Sequence, residues 1–309
     1  MRDPAPRVAA IVLNYNGRAV TLQALASLGA MDYPAFDLVV VDNGSTDGSH
    51  GAIAEAFPAV VQRRTEENLG PAGGCNLGIR WALEQGGARR YDYLLILNND
   101  IEVAPDMLTE MVRVAESDAR IGVVGPKAYY YAPADRDRIW SAGGRLRFRE
   151  SVTRERGEGQ RDRGQFDRDE EVDYINGCAM LVRREAFERA GLWDPIFHLA
   201  VEDADFCMRI KALGYRCWYA HRARLWHMVA YATGVYKPGK TFHTGRSTAI
   251  FVRRYGTLRQ KLQSWLWLLA AIPVAFLREL PKGNQAAAIA KFRGYREGWR
   301  VELTDPPRW

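Results

Sequence analysis

The sequence predicts an α/β fold: a mostly parallel central sheet with helices on both faces, extended by C-terminal helices. Three observations predict it. Short continuous apolar runs at residues 8–13, 38–41, 93–97 and 122–125 read as strands buried on both faces. Between them lie segments with helical character, so strand and helix alternate through the first 126 residues. After Pro126 the rhythm breaks, and beyond residue 240 the pattern is helical.

The first strand, 8–13, precedes a helix with Val20, Leu22, Leu25 and Leu28 along one side. A strand at 38–41 leads to a helix at 52–57, and a third strand near Val60 and Val61 leads to a helix at 77–83. The fourth strand, 93–97, precedes a helix at 107–115 and a fifth strand at 122–125. Residues 127–131 and 139–148 read as antiparallel or irregular strands. Residues 149–171 are dense in Arg, Asp, Glu, Gly and Gln and have almost nothing to bury. They read as a mobile loop, either a solvated insertion or a lid that orders over substrate. Strands at 172–175 and 179–182, helices at 184–190 and 203–213, and extended segments at 216–219 and 223–227 follow. Helices at 241–255, 258–280 and 285–301 close the chain.

The 309 residues are 47% hydrophobic and 26% charged, enough for one large α/β domain or two fused ones. The net charge of +6 is mild and does not choose among nucleic acid, anionic membrane and phosphorylated substrate. Cys75, Cys178, Cys207 and Cys217 lack zinc-site spacing, and a chain this size needs no disulfide, so they are expected reduced and packed. The apolar run at 8–13 is too short for a signal core. The longest apolar stretch, 265–277, is broken by Pro273 and falls short of the roughly 20 residues of a spanning helix. The expectation is a cytoplasmic protein, soluble or lying on a membrane without crossing it.

In sheets of this kind ligands bind at the carboxyl ends of the strands. Strand one ends in Asn14-Tyr15-Asn16-Gly17 and strand two in Asp42-Asn43-Gly44-Ser45-Thr46-Asp47. Asp42 sits where a strand-end acid accepts hydrogen bonds from a ribose or base; Asp47 reads as a helix cap. Strand three leads to the glycine-rich Asn68-Leu69-Gly70 through Asn76-Leu77-Gly78, where backbone can approach a ligand closely. Strand four ends in Asn98-Asn99-Asp100, short polar residues that can hold a divalent cation against a diphosphate. Glu202, Asp203 and Asp205 open a helix; acids suit a first turn, and Asp205 can pair with Arg209. Packed carboxylates are also what a general base requires. His227 closes an extended segment and could complete the metal site with Asp100.

Together these pieces, with Ile175-Asn176-Gly177-Cys178-Ala179-Met180, Gly191-Leu192-Trp193-Asp194 and Trp226-His227, resemble family 2 glycosyltransferases of the GT-A fold. The likeness is strongest to rhamnosyltransferase-like bacterial members that build surface polysaccharides, and it runs from residue 8 to about 255. It implies that Asn14, Tyr15, Asp42, Asn68, Asn76, Asn98 and Asn99 line the nucleotide of a nucleotide-diphosphate sugar. Asp100 and His227 would bind Mg²⁺ or Mn²⁺, Asp203 would be the base with Glu202 beside it, and Trp140, Asn176, Gly177 and Cys178 would line the acceptor side. The family's metal motif often opens with an acid where this chain has Asn98; many rhamnosyltransferase-like members share the Asn-Asn-Asp form. The resemblance also divides the chain into a nucleotide-sugar half (1–126), an acceptor and catalytic half (127–255) and a helical extension (256–309). It implies a glycan or lipid-linked acceptor, inversion at the anomeric carbon, and no nucleic acid partner.

Trp265, Leu266, Trp267 and Leu268 sit among Arg253, Arg254, Arg259, Lys261, Arg278 and Lys282. This suits an interfacial helix on anionic lipid; the other reading is a core-packing or homo-oligomer-forming appendage. Rival functions fit less well. A dinucleotide dehydrogenase needs its glycine fingerprint after strand one. A nucleotidyltransferase needs a basic glycine-rich loop there, and Asn14 to Gly17 offers only the following Arg18. A processive synthase normally has several spanning helices and a Gln-x-x-Arg-Trp motif, and neither is present. A non-catalytic glycan-binding relative would lack the acids that Asp100 and Asp203 supply.

Overall fold

The structure, a computed structural model, describes residues 4–148, 152–229 and 237–309. Its first part alternates β1 (Val8–Asn14), α1 (Arg18–Gly29), β2 (Phe36–Asp42), α2 (Ser49–Ala56), β3 (Val61–Arg64), α3 (Gly70–Glu84), β4 (Tyr93–Asn98), β5 (Ile101–Val103) and α4 (Met107–Ala115). Then come β6 (Ile121–Tyr130), β7 (Ile139–Ser141), β8 (Gly144–Leu146), β9 (Thr153–Glu155), β10 (Glu170–Val172), β11 (Ala179–Arg183), α5 (Arg184–Ala190), α6 (Glu202–Ala212) and β12 (Arg216–His227). Helices α7 (Pro238–Tyr255), α8 (Leu258–Glu279) and α9 (Gln285–Gly298) end the chain.

The main sheet runs β10-β12-β6-β11-β4-β1-β2-β3. Strands β3, β2, β1 and β4 are mutually parallel, as the apolar runs predict. β6 pairs parallel with β12, but β11 enters antiparallel between β4 and β6. The sheet is therefore mixed, with four parallel strands on one side and one reversed strand at its centre. Each buried strand feeds two cores. Ala9, Ile11, Val39 and Val41 face α3; Val8, Ala10, Val12 and Val40 face α1 and α4. This is the period-two alternation of a strand covered on both faces.

The glycine-rich segment behaves differently from its sequence expectation. Helix α3 begins at Gly70, so the glycines lie inside its first turns. A Cβ on Gly74 would stand 2.5 Å from Leu13 Cδ1, and one on Gly78 2.5 Å from Ile11 Cγ2. These residues let the helix press against the sheet, the close helix–strand packing that only glycine permits.

Residues 152–171, expected as a mobile loop, are built; residues 149–151 of that expectation lie outside the described set. β8 and β9 form a hairpin, and β10 joins the main sheet. The charges that suggested solvation are paired instead. Buried Lys127 meets Asp162 at 2.9 Å and Asp167 at 2.5 Å, and Arg156 meets Glu170.

In the C-terminal part, α8 runs unbroken through Pro273 for 22 residues. The stretch Leu258–Lys282 is long and apolar enough, by length and composition, to cross a membrane, so the helix exceeds the 265–277 run that falls short of a span in the sequence. Pro273 removes the N–H that would bond the Leu269 carbonyl. Leu269 lies on the exposed side, where that loss is tolerable. Leu258, Leu262, Leu266, Trp267 and Leu277 are also exposed. Not every residue expected at a lipid surface is free to face one. Trp265 packs edge-on to Tyr295 at 5.0 Å, Arg253 bonds the Gly298 and Val301 carbonyls, and Arg254 is ion-paired internally.

Candidate active site

The parallel register aligns the strand ends. Asn14 lies opposite Asp42, Leu13 opposite Asn98, and Asp42 opposite Arg64. The strand order reverses at β1, where doubly wound sheets open their ligand crevice. Asn14 is a buried node of this edge. Its amide nitrogen donates to Ser45 Oγ (3.1 Å) and Ser49 Oγ (3.0 Å). Its carbonyl oxygen accepts from Thr21 Oγ1 (2.8 Å), Asn99 Nδ2 (3.1 Å) and the Gly17 N–H (3.2 Å). Asn14 thus fixes the edge and keeps nothing for a ligand, and the Asn99 amide nitrogen is spent on Asn14 and Thr21.

Asn76 is also consumed internally: its amide clamps the Trp193 backbone, accepting at 3.0 Å and donating at 2.8 Å. Asn68 accepts from Asn43 and from the Gly70 N–H. Asn98 is half-buried, its N–H bonded to the Cys178 carbonyl. Two donor-side residues keep free capacity. Tyr15, the residue after the carboxyl end of β1, is 43% exposed. Asp42 is fully buried; its Oδ1 accepts from the Ser45 N–H, while its Oδ2 accepts no hydrogen bond and faces Arg64 Nε at 3.4 Å. A buried acceptor without a donor is a place for a ligand hydroxyl or N–H. Arg64 was not singled out from sequence. Asp47 does not take the cap position expected of it: the N-cap of α2 is Gly48, and Asp47, one residue earlier, accepts from the Ser49 N–H at 3.0 Å and the Arg18 N–H at 2.9 Å.

Asp100 and His227 come together because β5 pairs with β12, which sets His227 opposite Ile101. Asp100 Oδ1 and His227 Nε2 are 3.0 Å apart, both residues are buried, and His227 Nδ1 has no partner. Among the described residues no group of three or more His, Cys, Asp or Glu side chains converges. A carboxylate and an imidazole, with diphosphate oxygens completing the shell, is nonetheless a donor set that Mg²⁺ or Mn²⁺ accepts. The residues fit such a cation. The Trp140 ring stands edge-on to His227, with centroids 4.5 Å apart.

From Trp140 the contacts continue to the carboxylates. Ser141, its neighbour, bonds Glu155 and accepts from Asn176 Nδ2 at 3.0 Å. Asn176 also donates to Glu155 Oε2 at 2.9 Å. The next N–H, of Gly177, donates to Asp203 Oδ2 at 2.8 Å, and the Ala204 N–H holds Oδ1 at 2.7 Å. Cys178 joins this turn through its backbone only, since its side chain is buried in the core. Glu155 escaped the sequence reading because it lies in the segment that looked like a loop.

The acids open α6 from a constrained backbone. Ala200 and Val201 both take left-handed φ, 69° and 63°, which costs of order 1–3 kcal/mol each for non-glycine residues and clusters at functional sites. Burial raises the proton affinity of Asp203 and of Glu155. Glu202 is pushed up to about 8, by burial first and by the Asp203 charge second. Asp205 takes no part: it is fully buried, with Arg209 at 2.9 Å, Arg254 at 2.7 Å and the Tyr255 hydroxyl at 2.7 Å.

Glu202→Gln tests this electrostatic account. Folded Glu202 keeps its proton up to about 8 against an ordinary 4.5, so the folded chain binds an extra proton between those values. Its stabilising share is complete below the lower value and is lost as pH rises through the upper one. The melting temperature of the variant relative to wild type is expected to climb between about pH 5 and 8. A difference that stays constant over that range contradicts the assignment.

Comparison with known proteins gives the family and the fold. The family model described as glycosyl transferase family 2 matches residues 9–191. The N-acetylglucosaminyl-diphospho-decaprenol L-rhamnosyltransferase of Mycobacterium tuberculosis is 26% identical over 271 residues, covering 82% of this chain and 85% of its own. Among solved structures, a mannosyltransferase from Pyrobaculum calidifontis in complex with GDP-Man and Mn²⁺ superposes with a TM-score of 0.60 at 19% identity. The match covers 97% of this chain and 89% of that one. GalNAc-T7 with UDP, GalNAc and Mn²⁺ superposes at 0.64 with 14% identity, over 96% of this chain and 55% of that one. These likenesses show the GT-A fold.

Proposed function

The chain belongs to glycosyl transferase family 2, and from that premise we propose that it moves rhamnose, with inversion, from a thymidine diphosphate donor to a hydroxyl of a lipid-linked glycan. It is a rhamnosyltransferase-like glycosyltransferase of cell-surface glycan synthesis. The observation that carries the mechanism is the unbroken run of contacts from His227 through Trp140, Ser141 and Asn176 to Gly177 and Asp203. It ties a cation-binding pair to a proton acceptor across one crevice.

Tyr15 and Asp42 hold the nucleoside, with Asn68 beside them. Asp100 and His227 hold a divalent cation, Mg²⁺ or Mn²⁺, which when bound stabilises charge on the departing diphosphate. Asp203 takes the proton of the attacking hydroxyl. Burial raises its basicity, and the Gly177 and Ala204 N–H groups fix the orientation of its carboxylate. Glu202, protonated near neutral pH, spares the site a second adjacent negative charge. Asn176 and Trp140 line the acceptor side. The exposed apolar face of α8 supports peripheral contact with the inner face of the cell membrane, where such an acceptor resides.

Thermal-shift titration with thymidine, uridine and guanosine diphosphates, with and without Mn²⁺, tests the reading. The largest rise is expected with thymidine diphosphate plus Mn²⁺, about 2.7 kcal/mol of added stability at a hundredfold excess over Kd. A larger rise with uridine diphosphate overturns the donor, and no rise with any of the three overturns the donor site.

A further inference from the structure

We propose that the arginines of the β8–β9 hairpin form a second anion site that binds the diphosphate of the acceptor, a lipid diphosphate glycan. This rests on the transferase reading above and adds the group by which the acceptor is held. The hairpin register sets Arg145 directly opposite Arg154. Like charges in opposed positions destabilise a two-stranded ladder, so the sequence keeps here a repulsion that a folding argument alone would remove. Arg147, two residues beyond Arg145, shares its face because strand side chains alternate.

Arg145, Arg147 and Arg154 are exposed, and none has a side-chain hydrogen bond or ion pair among the described residues. The acids of this segment serve other cations: Asp162 and Asp167 hold Lys127, and Glu170 holds Arg156. The three free guanidinium groups line, with Arg156, an open cavity of about 380 Å³. Of its two acids, Glu155 is bonded to Ser141, Tyr174 and Asn176, and Glu158 is exposed. A concavity of unpaired planar forks suits phosphate oxygens, which guanidinium binds in bidentate fashion.

Its place in the fold gives the site a purpose. Glu155 follows Arg154 on β9 and is bonded to Asn176, whose neighbour Gly177 holds Asp203. An acceptor diphosphate on the arginines therefore lies just across strand β9 from the residues that receive the acceptor hydroxyl. The donor diphosphate belongs at the opposite end of the contact run, at Asp100 and His227, so the two anions do not compete.

The test uses the full chain and geranyl diphosphate as probe, with saturating thymidine diphosphate and Mn²⁺ present to occupy the donor crevice. Wild type is expected to bind the probe, and the R145Q/R147Q/R154Q variant to bind it about tenfold or more weakly, with binding that weakens as salt rises. No binding by wild type, or equal binding by both proteins, overturns the proposal. Co-sedimentation with phosphatidylglycerol vesicles separates the two sources of phosphate. Equal vesicle binding by both proteins supports the site; loss of vesicle binding with unchanged probe binding makes the arginines a headgroup surface and overturns it. Hydrolysis of thymidine diphosphate rhamnose by wild type reports on the transferase reading alone, so its failure is distinct from loss of the probe site.

Discussion

Asp203→Asn is expected to abolish sugar transfer while leaving nucleoside diphosphate affinity nearly unchanged. The substitution keeps shape and one carbonyl acceptor for the Gly177 N–H, which donates at 2.8 Å in the wild type. On the proposed mechanism it removes the group that takes the acceptor proton, and loss of a general base typically costs about 10²–10⁴-fold in rate. Titration calorimetry with thymidine diphosphate and a coupled turnover assay read the two halves separately. Turnover at the wild-type rate removes Asp203 from the mechanism; a parallel loss of nucleotide binding makes it a structural residue of the crevice. The raised proton affinity of Asp203 adds a direction: wild-type rate should rise with pH above the usual carboxylate range.

Arg254→Met is expected to have the largest effect on stability, about 3–5 kcal/mol. Arg254 bridges two buried acids, Asp205 at 2.7 Å and Asp194 at 2.8 Å, from helix α7. Its own charge is held firmly by these partners. Removing it leaves one carboxylate at 0% and one at 2% exposure with fewer partners, although Arg209 and Tyr255 still serve Asp205. Urea denaturation measures the loss; a change below about 1 kcal/mol would mean the pair behaves like a surface ion pair. The consequence reaches function, because Asp205 belongs to the helix that presents Glu202 and Asp203.

The legible and illegible parts of this molecule divide along physical lines. Parallel strands buried on both faces write themselves as continuous apolar runs, so β1, β2 and β4 stand out, and the polar residues after each run mark the crevice. Asp100, His227 and Asp203 were each legible as candidates from residue type, and the resemblance strengthened them as a set, since the pairing that brings His227 to Asp100 joins residues 127 apart. The reversed strand β11 was not legible as such: its five residues, Ala-Met-Leu-Val-Arg, carry the same apolar signal in either direction. Glu155 and the hairpin arginines were hidden by composition. A charge-dense stretch reads as solvated until its distant partners are known, and Lys127 with Asp162 and Asp167 is such a pairing. The amides were ambiguous for a different reason. Asn14 and Asn76 look alike as polar strand-end and glycine-loop residues, yet both are saturated by the fold, while Asp42 keeps an oxygen without a hydrogen bond.

The central claim is that cation, donor diphosphate and base meet in one crevice at the carboxyl ends of β1 and β4. A crystal structure of the chain with thymidine diphosphate and Mn²⁺, phased on the manganese anomalous signal, tests it most directly. The account predicts manganese bound by the Asp100 carboxylate and His227 Nε2, with the diphosphate on the same face as Asp203. Manganese bound elsewhere, or a nucleotide on a face that Asp203 does not share, contradicts it.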